Sequence, residues 1–387
     1  MKIIQYSQHV LGMGHFFRSR EIAAGLSAKG NNQVILASGG TAVDMPLPNN
    51  VRCMNMPALV MDNSFLGFFN PDGRDVEEVQ QERTAMLFDL FEKERPDVFL
   101  VELFPFGRKK FRFELLPLLQ AIKGGRFGEI KVICSLRDIL VERDDQEKYE
   151  NRVLETLNKY FHAVIVHSDP RVIRLEQTFP ALDRLDIPLK YSGYVASPAP
   201  SKGRFALRSE LGIPADHPYI LVSAGAGSVG GPLMRAAAEA FQRLIEEFPK
   251  ARMKMFTGPG LDEDSYSMLR RAEIHGLEVQ RFTPCLPDHM AACDLSISMG
   301  GYNTTMNILA SRVPALVLPF NANREQTLRA QLLEKRGLLA VLSPQNLDPA
   351  RLCSRMRSML DDGKRPAGPC PDLKGADATR ILIERLF

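Results

Sequence analysis

Three stretches hold the residues whose types and spacing could do chemistry. The first is residues 7–24, SQHVLGMGHFFRSREIAA, where Gly12, Gly14 and His15 stand between an apolar run and a stretch with helical spacing, and Arg18 follows one turn later. A histidine at the mouth of a strand and the start of a helix can work as a general base, because the helix dipole disfavours a second proton on the imidazole and leaves it able to accept one. The competing reading is a surface-loop histidine without a chemical role. The second stretch is residues 224–231, AGAGSVGG, in which Gly225, Gly227 and Gly230 satisfy G-x-G-x-x-G, with Ala226 and Ser228 between them. The third is a polar block in which Gly300-Gly301-Tyr302-Asn303-Thr304-Thr305 and Asn323-Arg324-Glu325-Gln326 each follow a strand candidate and open a helix.

Glycine loops that run into helices present backbone N–H groups and a positive dipole end to an anion. A dinucleotide site also wants an acidic residue at the end of the next strand to hold a ribose. Residues 252–257 run instead into Gly258-Pro259, and residues 34–38 into Gly39-Gly40, so that acid is missing twice. What remains suits a sugar-nucleotide diphosphate equally well. Gly300 and Gly301 let a backbone approach a ligand, while Asn303, Thr304, Glu325 and Gln326 offer hydrogen bonds to phosphate, ribose or sugar hydroxyls; Asn303 and Thr304 are also ordinary N-capping residues. Asp262-Glu263-Asp264 is formally D-x-D, but it directly precedes a helix candidate, and capping ranks above metal binding there.

These loops need strands and helices to carry them. Residues 2–7, 33–38, 51–56, 97–102, 130–136 and 162–167 read as strands, with helical spacing at 16–29 and 74–94 between them, which is the alternation of an α/β domain. Residues 196–203, ASPAPSKG, have linker composition. Beyond them the theme repeats, with strands at 219–223, 252–257, 277–282, 294–299 and 315–319 and a helix from Pro232. The expected organisation is a first domain over 1–195, a linker over 196–203, a second domain over 204–370, and a terminal helix within 371–387 that folds back on the first domain through Ile381, Leu382, Leu386 and Phe387.

Two aromatic segments stand apart. Residues 58–73 place Phe65, Leu66, Phe68 and Phe69 in a loop-like setting, where they either tuck under the next helix or form an apolar lip for a lipid-like acceptor. Residues 104–113, FPFGRKKFRF, interleave four phenylalanines with basic residues, as a helix start with a core-facing side or as a surface for anionic headgroups.

Composition narrows the partners. In 387 residues, 49 Lys and Arg stand against 46 Asp and Glu, a formal charge of +3 that is too balanced to point to nucleic acid. Cys53, Cys134, Cys285, Cys293, Cys353 and Cys370 show no metal-ligand spacing and read as reduced thiols of a cytoplasmic protein. No apolar run approaches the roughly 20 residues a membrane span needs, and the start of the chain lacks a signal-peptide pattern, so the expectation is a cytoplasmic protein, at most peripheral at the membrane.

With these residues in view, the chain resembles the GT-B glycosyltransferases, in particular the family 28 branch that includes the MurG-type N-acetylglucosaminyltransferase using UDP-N-acetylglucosamine. It also looks like a bacterial group of predicted glycosyltransferases that share LGMGHFFRS, FPFGRKKFRFEL, CSLRDIL and GGYNT. The resemblance covers nearly the whole chain. It implies an α/β protein of two Rossmann-like domains with a cleft between them. The first domain would hold a glycan or lipid-linked acceptor, and the second a nucleotide-sugar co-substrate, a UDP-sugar foremost. It further implies an inverting displacement with no cofactor and no metal, His15 as general base, and donor contacts at Gly14, Gly225, Ala226, Gly227, Ser228, Gly300, Gly301, Asn303, Thr304, Glu325 and Gln326. The family's acidic ribose ligand falls on Asn307, and the arginine that follows its Gly-Asn-Pro turn has no equivalent in Gly193-Tyr194-Val195. Arg18 and Arg137 are then the expected phosphate or acceptor contacts. The pattern of Gly12, Gly14, His15 and Arg18 is also similar to hydrolases of nucleoside diphosphate sugars, and the two departures would suit a sugar-nucleotide-binding protein without turnover.

Overall fold

Runs of β-branched and aliphatic residues alternate with amphipathic stretches along the chain, and they fold as two parallel sheets flanked by helices. The computed structural model describes residues 1–9, 14–29, 31–41, 46–61, 67–141, 145–225, 229–320 and 324–386. Two units result: Met1–Val195 together with Asp372–Phe387, and Ala196–Pro371.

In the first unit the strands are β1 (Lys2–Gln8), β2 (Gln33–Gly39), β3 (Val51–Met56), the short antiparallel pair β4 (Val60–Met61) and β5 (Phe68–Phe69), then β6 (Val98–Glu102), β7 (Lys131–Arg137), β8 (Ala163–His167) and β9 (Leu189–Tyr191). Apart from the β4–β5 pair they form one parallel sheet of order β3-β2-β1-β6-β7-β8-β9. The order reverses between β1 and β6, and such a switch point opens a crevice at the carboxyl ends of the strands. Both faces of the sheet are covered. Ile4, Tyr6, Phe99 and Val101 pack with helices α2 (Val76–Glu94), α3 (Arg112–Lys123) and α4 (Gln146–Tyr160), while Ile3, Val98 and Leu100 pack with α1 (Gly14–Ser27). Asp75 opens α2 by accepting from the Glu77 and Glu78 amides at 2.9 and 3.0 Å.

One buried polar cluster ties α2 and α3 to β1. Arg83 and Glu114, both 0% exposed, make two parallel bonds of 2.7 and 2.9 Å, and the Tyr6 hydroxyl donates to the same carboxylate. The phenylalanines of residues 104–113 turn inward: Phe104, Phe106 and Phe111 are at most 2% exposed. Phe68 packs against Phe111 with ring centroids 4.9 Å apart, whereas Phe69 is 46% exposed. Phe65 and Leu66 lie outside the described residues.

The second unit holds β10 (Tyr219–Ser223), β11 (Arg252–Phe256), β12 (Leu277–Gln280), β13 (Leu295–Met299), β14 (Ala315–Leu318) and β15 (Ala340–Val341), parallel in the order β12-β11-β10-β13-β14-β15. Its helices are α5 (Arg204–Glu210), α6 (Gly231–Glu247), α7 (Glu263–Arg271), α8 (Leu286–Ala292), α9 (Tyr302–Ser311), α10 (Arg324–Glu334) and α11 (Pro349–Asp362). The switch point here lies between β10 and β13. Asp262 caps α7, accepting from the Ser265 amide at 2.8 Å, and among the described residues no group of three acidic, histidine or cysteine side chains is placed to hold a metal.

The last helix, α12 (Gly375–Glu384), packs on α1 in the first unit. A Cβ on Gly25 would stand 2.6 Å from the Ala376 backbone, so glycine is required where these helices meet. Ile383 joins Ile22 and Leu26 in that core. Among the described residues no helix is long and apolar enough to cross a membrane.

Candidate active site

β1 and β6 are neighbours, and pairing of Tyr6 with Val101 brings Ser7 and Glu102 side by side at their carboxyl ends. His15 lies in the first turn of α1, directly above that edge. Its Nδ1 is 2.6 Å from Glu102 Oε1. Arg18, 4% exposed, donates to the same oxygen, and the Ser7 hydroxyl donates to Oε2 at 3.3 Å. An ionised carboxylate can only accept, so Nδ1 carries the proton it shares with Glu102, and Nε2 is left with a lone pair. Arg18 Nη2 also lies 3.3 Å from that Nδ1, but with Nδ1 protonated the guanidinium bonds the carboxylate.

Charge and burial set the protonation states. Burial pushes the His15 imidazole down to about 3, with Arg108 and Arg18 adding to the effect and Glu102 opposing it. Burial alone would raise Glu102, which is 2% exposed, but His15 and Arg18 outweigh it and hold the acid below the usual carboxylate range. His15 therefore stands neutral at pH 7 beside an ionised acid, with 20% of its side chain exposed. The sequence pointed to a neutral histidine through the helix dipole; in the structure burial is the main cause, with Arg108 and Arg18 adding to it.

Sequence reasoning missed Glu102 and Arg108. The one available signal for Glu102 was an acidic residue closing the apolar run 97–102. Arg108 reaches the site through a strained loop, since Leu103 and Arg108 hold φ of 65° and 58°, a region non-glycine residues seldom adopt. Its guanidinium donates to the Gln8 carbonyl at 2.7 Å and lies within the field of Glu102 and Arg137. Arg18, expected as a phosphate or acceptor contact, is instead buried against Glu102. Arg137 ends β7, half-buried and near Arg108. A second polar layer lies in the strands behind: His167, fully buried, bonds Ser135 through Nε2 at 2.7 Å and Ser192 through Nδ1 at 2.8 Å.

In the second unit the glycine loop after β10 and the N-terminus of α9 come together, the Gly225 Cβ position lying 4.0 Å from Thr304 Oγ1. Gly225 holds φ of 64°. Ala226, Gly227 and Ser228 fall outside the described residues, as do Gly12 and Asn323. Gly301 is the N-cap of α9, and a Cβ there would meet nothing within 4 Å, which leaves room over the helix end. Neither Asn303 nor Thr304 caps that helix; the N-cap is Gly301 without a side-chain bond, and Thr305 donates back to the Gly301 carbonyl at 2.9 Å. Gly300 packs tightly, its Cβ position 3.1 Å from Pro319.

Glu325 and Gln326 serve the scaffold as the structure places them. Glu325 is 3% exposed and pairs with Arg329 at 2.5 Å, and the Gln326 amide oxygen accepts from the Phe320 amide at 3.0 Å. Asn307 is half-buried on α9, one turn beyond Asn303.

Residues 220–378 match the model of the glycosyltransferase family 28 C-terminal domain. The family 28 match thus begins in β10 and runs into α12. An uncharacterized glycosyltransferase of Methanopyrus kandleri is 28% identical over 187 residues, 47% of this chain and 50% of that protein. The UDP-N-acetylglucosamine–N-acetylmuramyl-(pentapeptide) pyrophosphoryl-undecaprenol N-acetylglucosamine transferase of Symbiobacterium thermophilum is 26% identical over 191 residues, 48% of this chain and 50% of that protein. The chain spans about half the length of these curated relatives. Solved structures match it end to end: the glycotransferase of kitacinnamycin at a TM-score of 0.61 with 18% identity, covering 99% of this chain and 98% of that one, and MurG of Acinetobacter baumannii at 0.55 with 17% identity, covering 99% and 98%. The chain accordingly has the GT-B fold, two Rossmann-like domains of parallel sheet and flanking helices.

Proposed function

We propose that the protein is an inverting glycosyltransferase that moves a sugar from a nucleotide-sugar donor to a hydroxyl acceptor, with His15 as the base. The observation that carries this reading is the 2.6 Å contact between His15 Nδ1 and Glu102 at the switch point of the first sheet. Nε2 takes the acceptor proton as the acceptor oxygen bonds to the anomeric carbon. The bond from that carbon to the phosphate oxygen breaks, and its electrons leave on the nucleoside diphosphate. Glu102 stabilises the imidazolium that forms.

The leaving diphosphate is the partner of the loop at Gly225 and the open N-terminus of α9 at Gly301, whose amides meet negative charge without a metal ion. A UDP-sugar is the donor to test first, since the Symbiobacterium relative is named for UDP-N-acetylglucosamine. Arg108 and Arg137 favour an acceptor bearing negative charge near its reacting hydroxyl, such as a lipid-linked precursor of an envelope glycan. An anion seated there would also offset the arginines and make His15 a stronger base. Exposed Phe69, with the Lys110 ammonium over the neighbouring Phe68 ring at 5.8 Å, suits peripheral contact with the cytoplasmic face of the membrane.

The test is release of nucleoside diphosphate from a panel of UDP-, GDP-, dTDP- and CDP-sugars by the wild type, His15→Ala and Glu102→Gln, with and without membrane extract as acceptor. Turnover lost in both variants supports the reading. Equal rates in wild type and His15→Ala remove His15 as base, free sugar without acceptor makes the protein a hydrolase, and donor binding without release makes it a binding protein.

A further inference from the structure

The second sheet carries a cavity at the edge opposite its glycine loops. About 250 Å³ in volume, it is bounded by Pro218, Asp294 and Pro314, the residues that directly precede β10, β13 and β14. The loops at Gly225 and Gly300 follow the other ends of β10 and β13, and a strand of five residues separates the two edges by about 16 Å. Phe248 lines the cavity with Met359 and Leu360 from the end of α11.

Cations outnumber acids at its mouth. Arg204 donates to Asp294 Oδ1 and Arg208 to Oδ2 at 3.1 Å, while the Tyr219 amide donates to Oδ2 at 2.8 Å, so that carboxylate is saturated. Asp216 is taken by Lys250 at 2.6 Å. Arg365 has no carboxylate within 4.0 Å among the described residues; it donates to the Ser311 and Cys293 carbonyls at 2.8 and 3.5 Å. Burial lowers its proton affinity most, with the neighbouring Arg204 guanidinium adding to the effect and Cys293 and Asp294 opposing it, so two guanidiniums crowd beside a carboxylate that is already saturated. A bound anion would relieve that crowding, and the guanidinium fork suits a carboxylate or phosphate.

We propose that this cavity binds a small organic anion, its charged head on Arg204 and Arg365 and its apolar body against Phe248, Met359 and Leu360. The site is separate from the glycosyl-transfer machinery, and the proposal stands or falls independently of it. Such a ligand would act at a distance from the donor loops, through the strands β10 and β13 that join the two edges.

The probe is benzoate, titrated into the full chain carrying labelled methionine methyls, with the Met359 methyl as the reporter. Benzoate and phenyl phosphate should shift that signal saturably, whereas neutral benzamide should not. Arg365→Gln should weaken benzoate about tenfold, the effect of one charged hydrogen-bonding pair, and Leu360→Trp, which fills the cavity, should abolish the shift. Equal binding of benzamide and benzoate overturns the proposal. Inorganic phosphate binding as well as benzoate overturns the role of the apolar wall. If Arg365→Gln loses its fold with its two carbonyl bonds, Leu360→Trp decides alone, and an unchanged benzoate titration there is fatal.

Discussion

Glu102 stands 87 positions from His15 in sequence, and its Oε1 lies 2.6 Å from the Nδ1 of that histidine. The pair is assembled by the switch point of the first sheet, where β1 leads into α1 and β6 lies alongside. Because Glu102 and Arg18 are both nearly fully buried, the geometry is held by the core.

Glu102→Gln keeps the shape and removes the charge. The carboxamide offers Nδ1 one neutral acceptor oxygen in place of a carboxylate, and the imidazolium loses its counter-charge. We expect donor turnover to fall by about 10²- to 10⁴-fold, as for acids that orient a catalytic histidine, with little change in donor KM. A steady-state comparison with His15→Ala checks this, and the double variant should be no worse than the worse single one.

The acid limb of activity should lie far below that of an ordinary histidine. With the imidazole pushed down to about 3 in the folded chain, against 6.5 when exposed, His15 stays deprotonated as pH falls through 6 and 5. Stability behaves oppositely. Between pH 6.5 and about 3 the unfolded chain takes up a proton at this position that the native chain does not, so stability drops as pH falls through that window. His15→Gln removes this contribution. Denaturant melts at pH 7 and pH 4.5 should show a smaller loss for the variant than for the wild type.

Arg108→Gln tests the electrostatics from the other side. Removing this cation relieves one of the influences that lower His15, so the acid limb moves toward higher pH. Charged inhibitors such as pyrophosphate should bind several-fold more weakly, whereas a neutral acceptor analogue should be unaffected. A pH-rate profile with an unchanged acid limb would contradict the assignment.

The Arg83, Glu114 and Tyr6 cluster should govern stability rather than turnover. Arg83→Leu strands a fully buried carboxylate, and we expect a loss of about 3–5 kcal/mol. Tyr6→Phe removes one hydrogen bond and should cost about 1–2 kcal/mol. Urea unfolding reads both, and kcat of the folded fraction should stay near wild type.

Two glycines of the second unit should separate fold from ligand. A methyl at Gly230 would meet the Ala224 Cβ at 2.3 Å, so Gly230→Ala should lower Tm and disturb the loop. A methyl at Gly301 meets nothing and φ there is −63°, so Gly301→Ala should fold normally. Donor KM in Gly301→Ala should nevertheless rise about tenfold if phosphate oxygens occupy that space.

Much of the architecture was legible because it rests on local periodicity. Buried parallel strands such as β6 and β8 must be apolar along their whole length, which makes 98–102 and 163–167 visible as strands. The strand before His15 and the helix that holds it could be read for the same reason. Glu102 could not be assigned, because an acid at the end of a strand has the same local signature whether it faces water or a histidine. Glu325 shows the reverse limit. Its place at the start of a polar helix suggested a ligand, but Arg329 lies one turn on, and α10 turns the pair inward. Asn303 and Thr304 had the right types for a cap, but the chain enters α9 two residues before Asn303, at Gly301.

The sequence by itself determined the alternation of strand and helix, the family 28 resemblance, and the choice of His15, since these depend on the order and periodicity of residues close together. Only the tertiary structure decided what His15 faces. Strand order brings β6 next to β1, and with it Glu102 to His15 across 87 residues; burial then keeps the histidine neutral, while the neighbouring cations hold the acid ionised.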